Sequence, residues 1–511
     1  MPNARQAEHR PSCPAAPAGP PLPAAFGVRL DTATRVLEAG ELLLGGSPLE
    51  LLRLSRRGAE SLRAWEAGAA VSSDPGRGRL ARRLVASGMA HPLPAGGPDA
   101  DEVTVVVPVK DRPTQLRRLL GSLRGLEVLV VDDGSDRPEP VAAAASETGA
   151  TYLRHERCAG PAAARNAGLA LARTPFVVFV DSDCVVDEGW LSPLLRHFAD
   201  PLVAAVAPRI ASLQPGRDDW IARYEAVCSP HDLGERPGYV RPRSRLPFVP
   251  GATLAVRTAA VGGGFDAELR GGEDVDLIWR LHEAGWLVRY EPDATVWHEP
   301  RAELGAWLAQ RVLYGSTAGP LAKRHPRDVA PVMASPWTVA AWLLVAARRP
   351  VAATAVTAVA TAVLARRLGP STAEPTRLAL LVAARGTLRA GVPLAANALR
   401  AWGPLAVAGA VVAPRLRAPL LVATGAAAAA RWRAAPGAKR LGPVAFVVAH
   451  AADDLAYGLG VLVGCVEERT IAPLLPEIAF RLAGPGAIGQ RRRTSRSRFG
   501  ARVGPLPVSR R

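Results

Sequence analysis

The chain has 511 residues, 49% of them hydrophobic, which is too long for one ordinary domain and ample for a sizeable core. Its formal charge of +17 would ordinarily point to nucleic acid or an anionic membrane. Yet among 63 basic residues only Lys110, Lys323 and Lys439 are lysine, so much of the excess is the arginine background of an Ala-, Gly- and Pro-rich composition. No helix-turn-helix, zinc-finger or RNA-recognition pattern stands out, which argues against a nucleic-acid partner. Five scattered cysteines, Cys13, Cys158, Cys184, Cys228 and Cys465, have no CxxC spacing and favour a reducing cytoplasm over disulfides or structural zinc.

Residues 1–26 are rich in Pro and Ala without a continuous apolar stretch, and read as a disordered leader rather than a secretory signal. Residues 27–95 mix helical spacing with short extended runs such as Leu42-Leu43-Leu44, as in a small α+β module. Ala95-Gly96-Gly97-Pro98 is the linker to a unit spanning 99–330, where strands alternate with helices near 115–123, 162–172 and 191–198, the mark of an α/β sheet.

Three runs in that unit are apolar, β-branched and end on acid. Val103 to Val107 leads into Pro108 and Asp111, Val128 to Val131 into Asp132-Asp133-Gly134-Ser135, and Phe176 to Val180 into Asp181-Ser182-Asp183. Such runs read as parallel strands buried on both faces, whose ligands bind beyond the strand carboxyl ends. Carboxylates gathered in one crevice repel one another unless a cation or a hydrogen-bonding ligand compensates.

Residues 331–485 shift to Ala, Val and Leu, with apolar runs at 337–347, 351–365, 405–412, 420–430 and 444–466 separated by Arg and Pro. Most are shorter than the ~20 residues that cross a bilayer, and the longest holds Asp453-Asp454 at its centre. A membrane-associated helical region is the expectation, with a soluble Ala-rich bundle as the alternative. Residues 486–511 form a basic tail around Arg491-Arg492-Arg493, read as disordered or lying against anionic headgroups.

Asp-x-Asp alone is a weak signal, since Asp99-Ala100-Asp101 and Asp274-Val275-Asp276 also occur. Only Asp181-Ser182-Asp183 follows a buried strand, where two carboxylates can hold a hard divalent cation against a diphosphate, or else simply make a turn. Asp132 and Asp133 precede a Gly-Ser turn, where a carboxylate can accept from a nucleobase or ribose. Arg165, in Arg165-Asn166-Ala167-Gly168, offers planar donors for a phosphate or base carbonyl, or is a surface arginine. Gly271-Gly272-Glu273-Asp274 opens a helix over 275–284, where Asp274 is either a reactive carboxylate or an N-cap.

Taken in order, Val-Val-Pro-Val-Lys-Asp, Val-Val-Asp-Asp-Gly-Ser, Arg-Asn-Ala-Gly, Val-Asp-Ser-Asp and Gly-Glu-Asp resemble glycosyltransferase family 2, the inverting enzymes of GT-A fold. The resemblance spans about 103–297. It implies a three-layer α/β sandwich binding a nucleotide-diphosphate sugar, with Pro108, Asp111, Asp132, Asp133, Arg165 and Asp181 on the nucleotide-sugar side. It further implies Asp183, with Asp181 and His298, around Mg or Mn, although His298 could equally be structural. Asp274 would be the general base beside Glu273, with Gly272, Gln310 and Arg311 on the acceptor side. Asp274 would take the proton of an acceptor hydroxyl as it attacks the anomeric carbon opposite the departing diphosphate, inverting configuration.

The wider layout, with Trp307, Gln310-Arg311, Tyr314-Gly315 and the Ala-rich tail, resembles the glycosyltransferases of mycofactocin biosynthesis. That resemblance implies glucose added to a peptide-derived redox cofactor, and the expected location is cytoplasmic, at the inner face of the cell membrane. Residues 27–94 also loosely resemble small peptide-recognition domains, against a merely structural module. Two other functions compete. A membrane-associated synthase of a cell-wall or lipid-linked polysaccharide usually carries Gln-x-x-Arg-Trp, whereas Arg311 follows Gln310 directly. A non-catalytic scaffold binding nucleotide sugar or peptide would not need the intact Asp-Ser-Asp and Glu-Asp. A dehydrogenase is disfavoured because no GxGxxG follows the first strand.

Overall fold

The computed structural model describes residues 19–213, 218–301 and 303–479. The expected basic tail 486–511 and residues 1–18 of the expected leader lie outside the described residues.

The amino-terminal module contains β1 (Gly27–Leu30), β2 (Arg35–Leu37), β3 (Leu42–Gly45) and β4 (Glu50–Arg53), then α1 (Arg56–Glu66), α2 (Pro75–Ser87) and β5 (Ala90–Leu93). β2, β3 and β4 form an antiparallel meander, and β1 pairs with β5. Ser55 and Asp74 cap the two helices by accepting from the Gly58 and Gly76 N–H groups, and Pro75 occupies the first turn of α2, where no donor is lost. Period-two alternation gives the meander two apolar faces. Leu43 and Leu52 join Leu62, Trp65 and Leu84 in the module's own core, while Leu42, Leu44 and Leu51 pack on Leu364, Leu368 and Leu378 far along the chain. Leu22 and Phe26, expected within the leader, are buried in the same module core, so order begins before residue 27.

The central sheet is mixed. Its strands are β6 (Val103–Val109), β7 (Glu127–Asp133), β8 (Thr151–His155), β9 (Phe176–Val180), β10 (Cys184–Val186), β11 (Val203–Ser212), β12 (Gly238–Val240), β13 (Thr253–Arg257) and β14 (Leu287–His298). They run in the order β10-β14-β11-β13-β9-β6-β7-β8, with β12 also on β14. β9, β6, β7 and β8 are parallel, joined through α3 (Pro113–Ser122), α4 (Glu139–Thr148) and α5 (Pro161–Leu171). The apolar runs alternate between two cores as a doubly covered sheet requires: Val105, Val107, Val130 and Val178 face one side, Val106, Leu129, Val131 and Phe179 the other. Beyond β10 come α6 (Leu191–Leu195), α7 (Trp220–Cys228) and α8 (Glu273–Glu283), and after β14 come α9 (Leu304–Ser316) and α10 (Ala318–Arg324).

The carboxyl-terminal region is helical: α11 (Pro336–Ala346), α12 (Pro350–Leu368), α13 (Pro375–Ala379), α14 (Arg385–Val412), α15 (Arg417–Ala434) and α16 (Pro443–Glu467). The apolar run at 405–412 is only the end of α14, whose first half carries Arg385, Arg389 and Pro393 and so escapes a hydropathy reading. Three helices, Pro350–Ser371, Pro375–Val412 and Pro443–Glu467, are long and apolar enough to cross a membrane.

Charged contacts join the three parts. Arg82 of the module grips Asp200 of the central unit through two hydrogen bonds of 2.5 and 2.8 Å, both side chains buried. Glu38 accepts from Thr372 Oγ1 at 2.6 Å and the Ala373 N–H at 2.8 Å, in the turn between α12 and α13.

Candidate active site

The carboxyl ends of β6, β7 and β9 open onto one crevice, which α5, α8, α9 and the end of β14 complete. Asp181 and Asp183 follow β9, and the Arg165 guanidinium from α5 reaches Asp181. Its Nη2 donates to Asp181 Oδ1 at 2.7 Å, and its Nη1 to Glu273 Oε1 at 2.7 Å. Arg165, expected on the nucleotide-sugar side, is buried with both Nη groups on protein carboxylates, and so braces β9 against α8. Its neighbour Asn166 makes paired 2.8 Å bonds with the Phe265 backbone and fixes the glycine loop before α8.

Gly272, at φ 77°, is the N-cap of α8, so Asp274 does not serve as the cap. Instead Asp274 lies in the first turn, where Oδ2 accepts the Gly251 N–H at 2.6 Å and Oδ1 the Val275 N–H at 2.8 Å. Burial, and then the neighbouring Glu273 charge, push its carboxyl up to about 6. One lone-pair direction on each oxygen remains for a substrate. Further along α8, His325 contacts Asp276 at 2.9 Å and Glu283 at 3.2 Å, clamping the helix that carries Asp274.

At the metal-type end, Asp183 pairs with Arg112 and with His298, whose Nε2 is 3.5 Å from Asp183 Oδ1. Burial alone would raise the Asp183 carboxyl, but His298 and Arg112 outweigh it and hold it below the usual value. Burial raises Asp181, against the pull of Arg165. Asp183 and His298 lie close enough to share an ion, and Asp181 interacts electrostatically with both, although the three do not converge as tightly as Glu283, His325 and Asp328 do elsewhere. Carboxylate oxygens with an imidazole are the donor types that Mg or Mn takes.

Asp132 and Asp133 do not present free acceptors. Asp132 is fully buried and accepts from the Ser135 N–H, Tyr152 Oη and Arg154 Nη1 at 2.7–2.9 Å. Asp133 accepts from the Ala159 and Gly160 N–H groups, His155 and Cys158, two bonds to each oxygen. Within the chain, these acids hold the loops after β7 and before α5. Pro108 is buried in β6, whereas exposed Asp111 takes the Asp136 N–H at 2.8 Å and keeps one oxygen toward solvent.

Arg311, expected beside the acceptor, is fully buried and bound to Glu225 and to Asp453 of α16, so it serves the fold. Gln310 remains near the crevice, where its Nε2 donates to Tyr314 Oη at 2.8 Å. Tyr314, singled out above only as part of the wider layout, meets a group that no motif announced, His231. Tyr314 Oη is 3.0 Å from His231 Nε2, and the His231 ring lies 4.6 Å from that of His298. Tyr314, His231, His298 and Asp183 therefore form one continuous line along the crevice. Burial, then the His298 charge, depress the His231 pKa well below the ordinary histidine value.

Comparison with known proteins fits this geometry. Residues 104–261 match the model of "Glycosyl transferase family 2". The chain is 42% identical over 472 residues to "Pre-mycofactocin glycosyltransferase" of Mycobacterium tuberculosis, covering 89% of this chain and 98% of that protein. A putative polypeptide N-acetylgalactosaminyltransferase 13 of Drosophila melanogaster is 28% identical over 199 residues, 34% of this chain and 35% of the other. Among solved structures, a mannosyltransferase from Pyrobaculum calidifontis in complex with GDP-Man and Mn2+ aligns with a TM-score of 0.35 at 20% identity, covering 57% of this chain and 89% of that one. The long match to the mycobacterial protein shows that the chain belongs to glycosyl transferase family 2, with the α/β GT-A fold, and is a glycosyltransferase akin to that of mycofactocin biosynthesis.

Proposed function

We propose that the protein transfers a hexose, glucose, from a nucleotide-diphosphate sugar such as UDP-glucose to a hydroxyl of mycofactocin or its precursor, with inversion at the anomeric carbon. The observation that carries this reading is Asp274, a carboxyl raised to about 6 and tied through Glu273 and Arg165 to Asp181. Such a group is ionised at neutral pH and still basic enough to accept a hydroxyl proton. The peptide-derived acceptor is supported by the name of the mycobacterial relative.

In this mechanism the nucleotide lies along Asp111 and the loop after β7, at the end of the strand that buries Pro108, and the diphosphate beside Asp181 and Asp183. Asp181, Asp183 and His298 would hold Mg or Mn, whose charge offsets that developing on the leaving diphosphate. Arg165 fixes the distance between Asp181 and the helix of Asp274 before substrate arrives, so little reorganisation accompanies transfer. The acceptor enters past Gly272, Gln310 and Tyr314. Asp274 then takes the hydroxyl proton on one carboxylate oxygen while its two backbone N–H bonds hold that carboxylate in line. Exposed apolar side chains in the helical region support association with the inner face of the cell membrane.

The test is incubation of the purified chain with a panel of nucleotide sugars, divalent cation and cell extract, reading product masses. Hexose increments on a small, cofactor-like species are expected. Growth of a lipid-linked polymer would favour a membrane glycan synthase, and no metal-dependent turnover of any nucleotide sugar would leave only a binding scaffold.

A further inference from the structure

α16 has two faces of different kinds. One packs against the catalytic unit along the whole helix. Phe446 meets Tyr224 with ring centres 5.7 Å apart, Asp453 meets Arg311 at 3.2 Å, and Lys323 meets Glu468 at 2.5 Å. Between them the backbones touch: a Cβ on Gly315 would stand 2.0 Å from the Tyr457 carbonyl oxygen, and one on Gly319 2.2 Å from that of Gly464. α9–α10 and α16 thus run side by side, in the same direction, from residues 307 and 446 to 323 and 468.

The other face is exposed and apolar. Val444 (77%), Val448 (64%), Leu455, Leu459, Val463 and Val466 (77%) stand open to solvent. At 3.6 residues per turn they fall on one stripe, which covers roughly 33 Å of helix and holds no charge. Exposed apolar side chains continue onto neighbouring helices, with Leu388 at 74% and Leu421 at 72%. A stripe of this extent marks a membrane or a partner. Residues 331–479 carry fifteen Lys and Arg against six Asp and Glu, a balance that complements anionic lipid rather than a second copy of the same basic surface.

Length and hydropathy alone would let α16 cross the bilayer. Its contacts oppose that. A spanning α16 would carry α9 to the same depth, and with it Gln310, Tyr314 and the charged crevice that Tyr314 meets through His231. Placing such groups in hydrocarbon is costly. We propose that α16 lies in the plane of an anionic bilayer surface, its exposed stripe in the interface, so that the acceptor wall α9 sits one helix diameter above the lipid. The inference rests on the membrane association proposed above and specifies its geometry.

The experiment uses the full chain in two parts. In flotation with vesicles of phosphatidylglycerol and phosphatidylcholine, the protein is expected to float with the anionic vesicles, and Val448→Lys with Leu459→Lys to lower the bound fraction at least tenfold. Metal-dependent nucleotide-sugar hydrolysis in detergent should stay unchanged, which shows that the variant is folded. In the second part, spin labels at Val444→Cys, Leu455→Cys and Val466→Cys, with Cys13 and Cys158 replaced by Ser, report depth by oxygen and nickel-chelate accessibility. Equal shallow depths support the proposal. Depths that pass through the bilayer centre along the helix overturn the in-plane geometry while leaving membrane association standing. Absence of flotation overturns both, and spin–spin coupling in the lipid-free protein would assign the stripe to a second copy instead.

Discussion

Arg165 and Arg311 are both buried, and each is held between two carboxylates: Asp181 and Glu273 for the first, Glu225 and Asp453 for the second. Around Arg311 the chain supplies further partners. Trp307 Nε1 donates to Glu225 at 2.7 Å, Tyr224 Oη to Asp453 at 3.1 Å, and Arg400 reaches both Asp453 and Asp454. Beside Arg165, half-buried Asp274 accepts from only two backbone N–H groups among the described residues, one on each oxygen. A buried ionic brace therefore does not by itself mark a site; a site needs charge that the fold leaves partly unanswered.

The largest expected effect tests the open member of that comparison. Asp274→Asn should lower transfer by ~10² to 10⁴-fold while sparing nucleotide-sugar binding, measured by product formation alongside calorimetric titration of donor. Full transfer by this variant would remove Asp274 as the base. At the closed member, Arg311→Ala leaves Glu225 without its cation and Asp453 with Arg400 alone, and should cost roughly 3–5 kcal/mol in denaturant titration, with activity lost only as folded protein is lost. If stability held and the acceptor KM rose instead, Arg311 would belong to the acceptor side after all.

Smaller effects sharpen the contrast. Gly460→Ala places a Cβ 2.0 Å from the Val312 carbonyl oxygen and should destabilise the α9–α16 seam by about 1–3 kcal/mol, seen as a lower thermal midpoint. The smallest is a shift in a pH profile. Because Asp274 must be ionised to act, kcat/KM should rise with pH through about 6. Glu273→Gln removes a like charge and frees Arg165 to favour the carboxylate, so the rising limb should move to lower pH by up to about one unit. A limb that moved upward would mean that Asp274 is not the group titrating.

The parallel strands were legible because a run buried on both faces leaves no alternation to confuse with another element, and α8 because glycines and acids announce its start. The partners that Asp132, Asp133 and Arg311 find within the chain were not. Whether a carboxylate beyond a strand is free depends on what folds back onto it, and here Tyr152, Arg154, Ala159 and Gly160 do so from later in the chain. Arg311 finds Asp453 across 142 positions, beyond any local pattern. His231 carried no motif and Tyr314 only a place in the wider layout, and the approach of α9 to the loop after α7 brings them onto the line that ends at Asp183.

The amino-terminal module touches the two other parts by independent surfaces, Arg82 on Asp200 and Leu42, Leu44 and Leu51 on the α12–α13 helices. Removing residues 19–95 would therefore not simply delete a domain. It would strand a buried carboxylate on one side and uncover a leucine-lined surface on the other. Unfolding should accordingly be cooperative across the chain, with a single calorimetric transition shared by the module, the catalytic unit and at least α12 and α13.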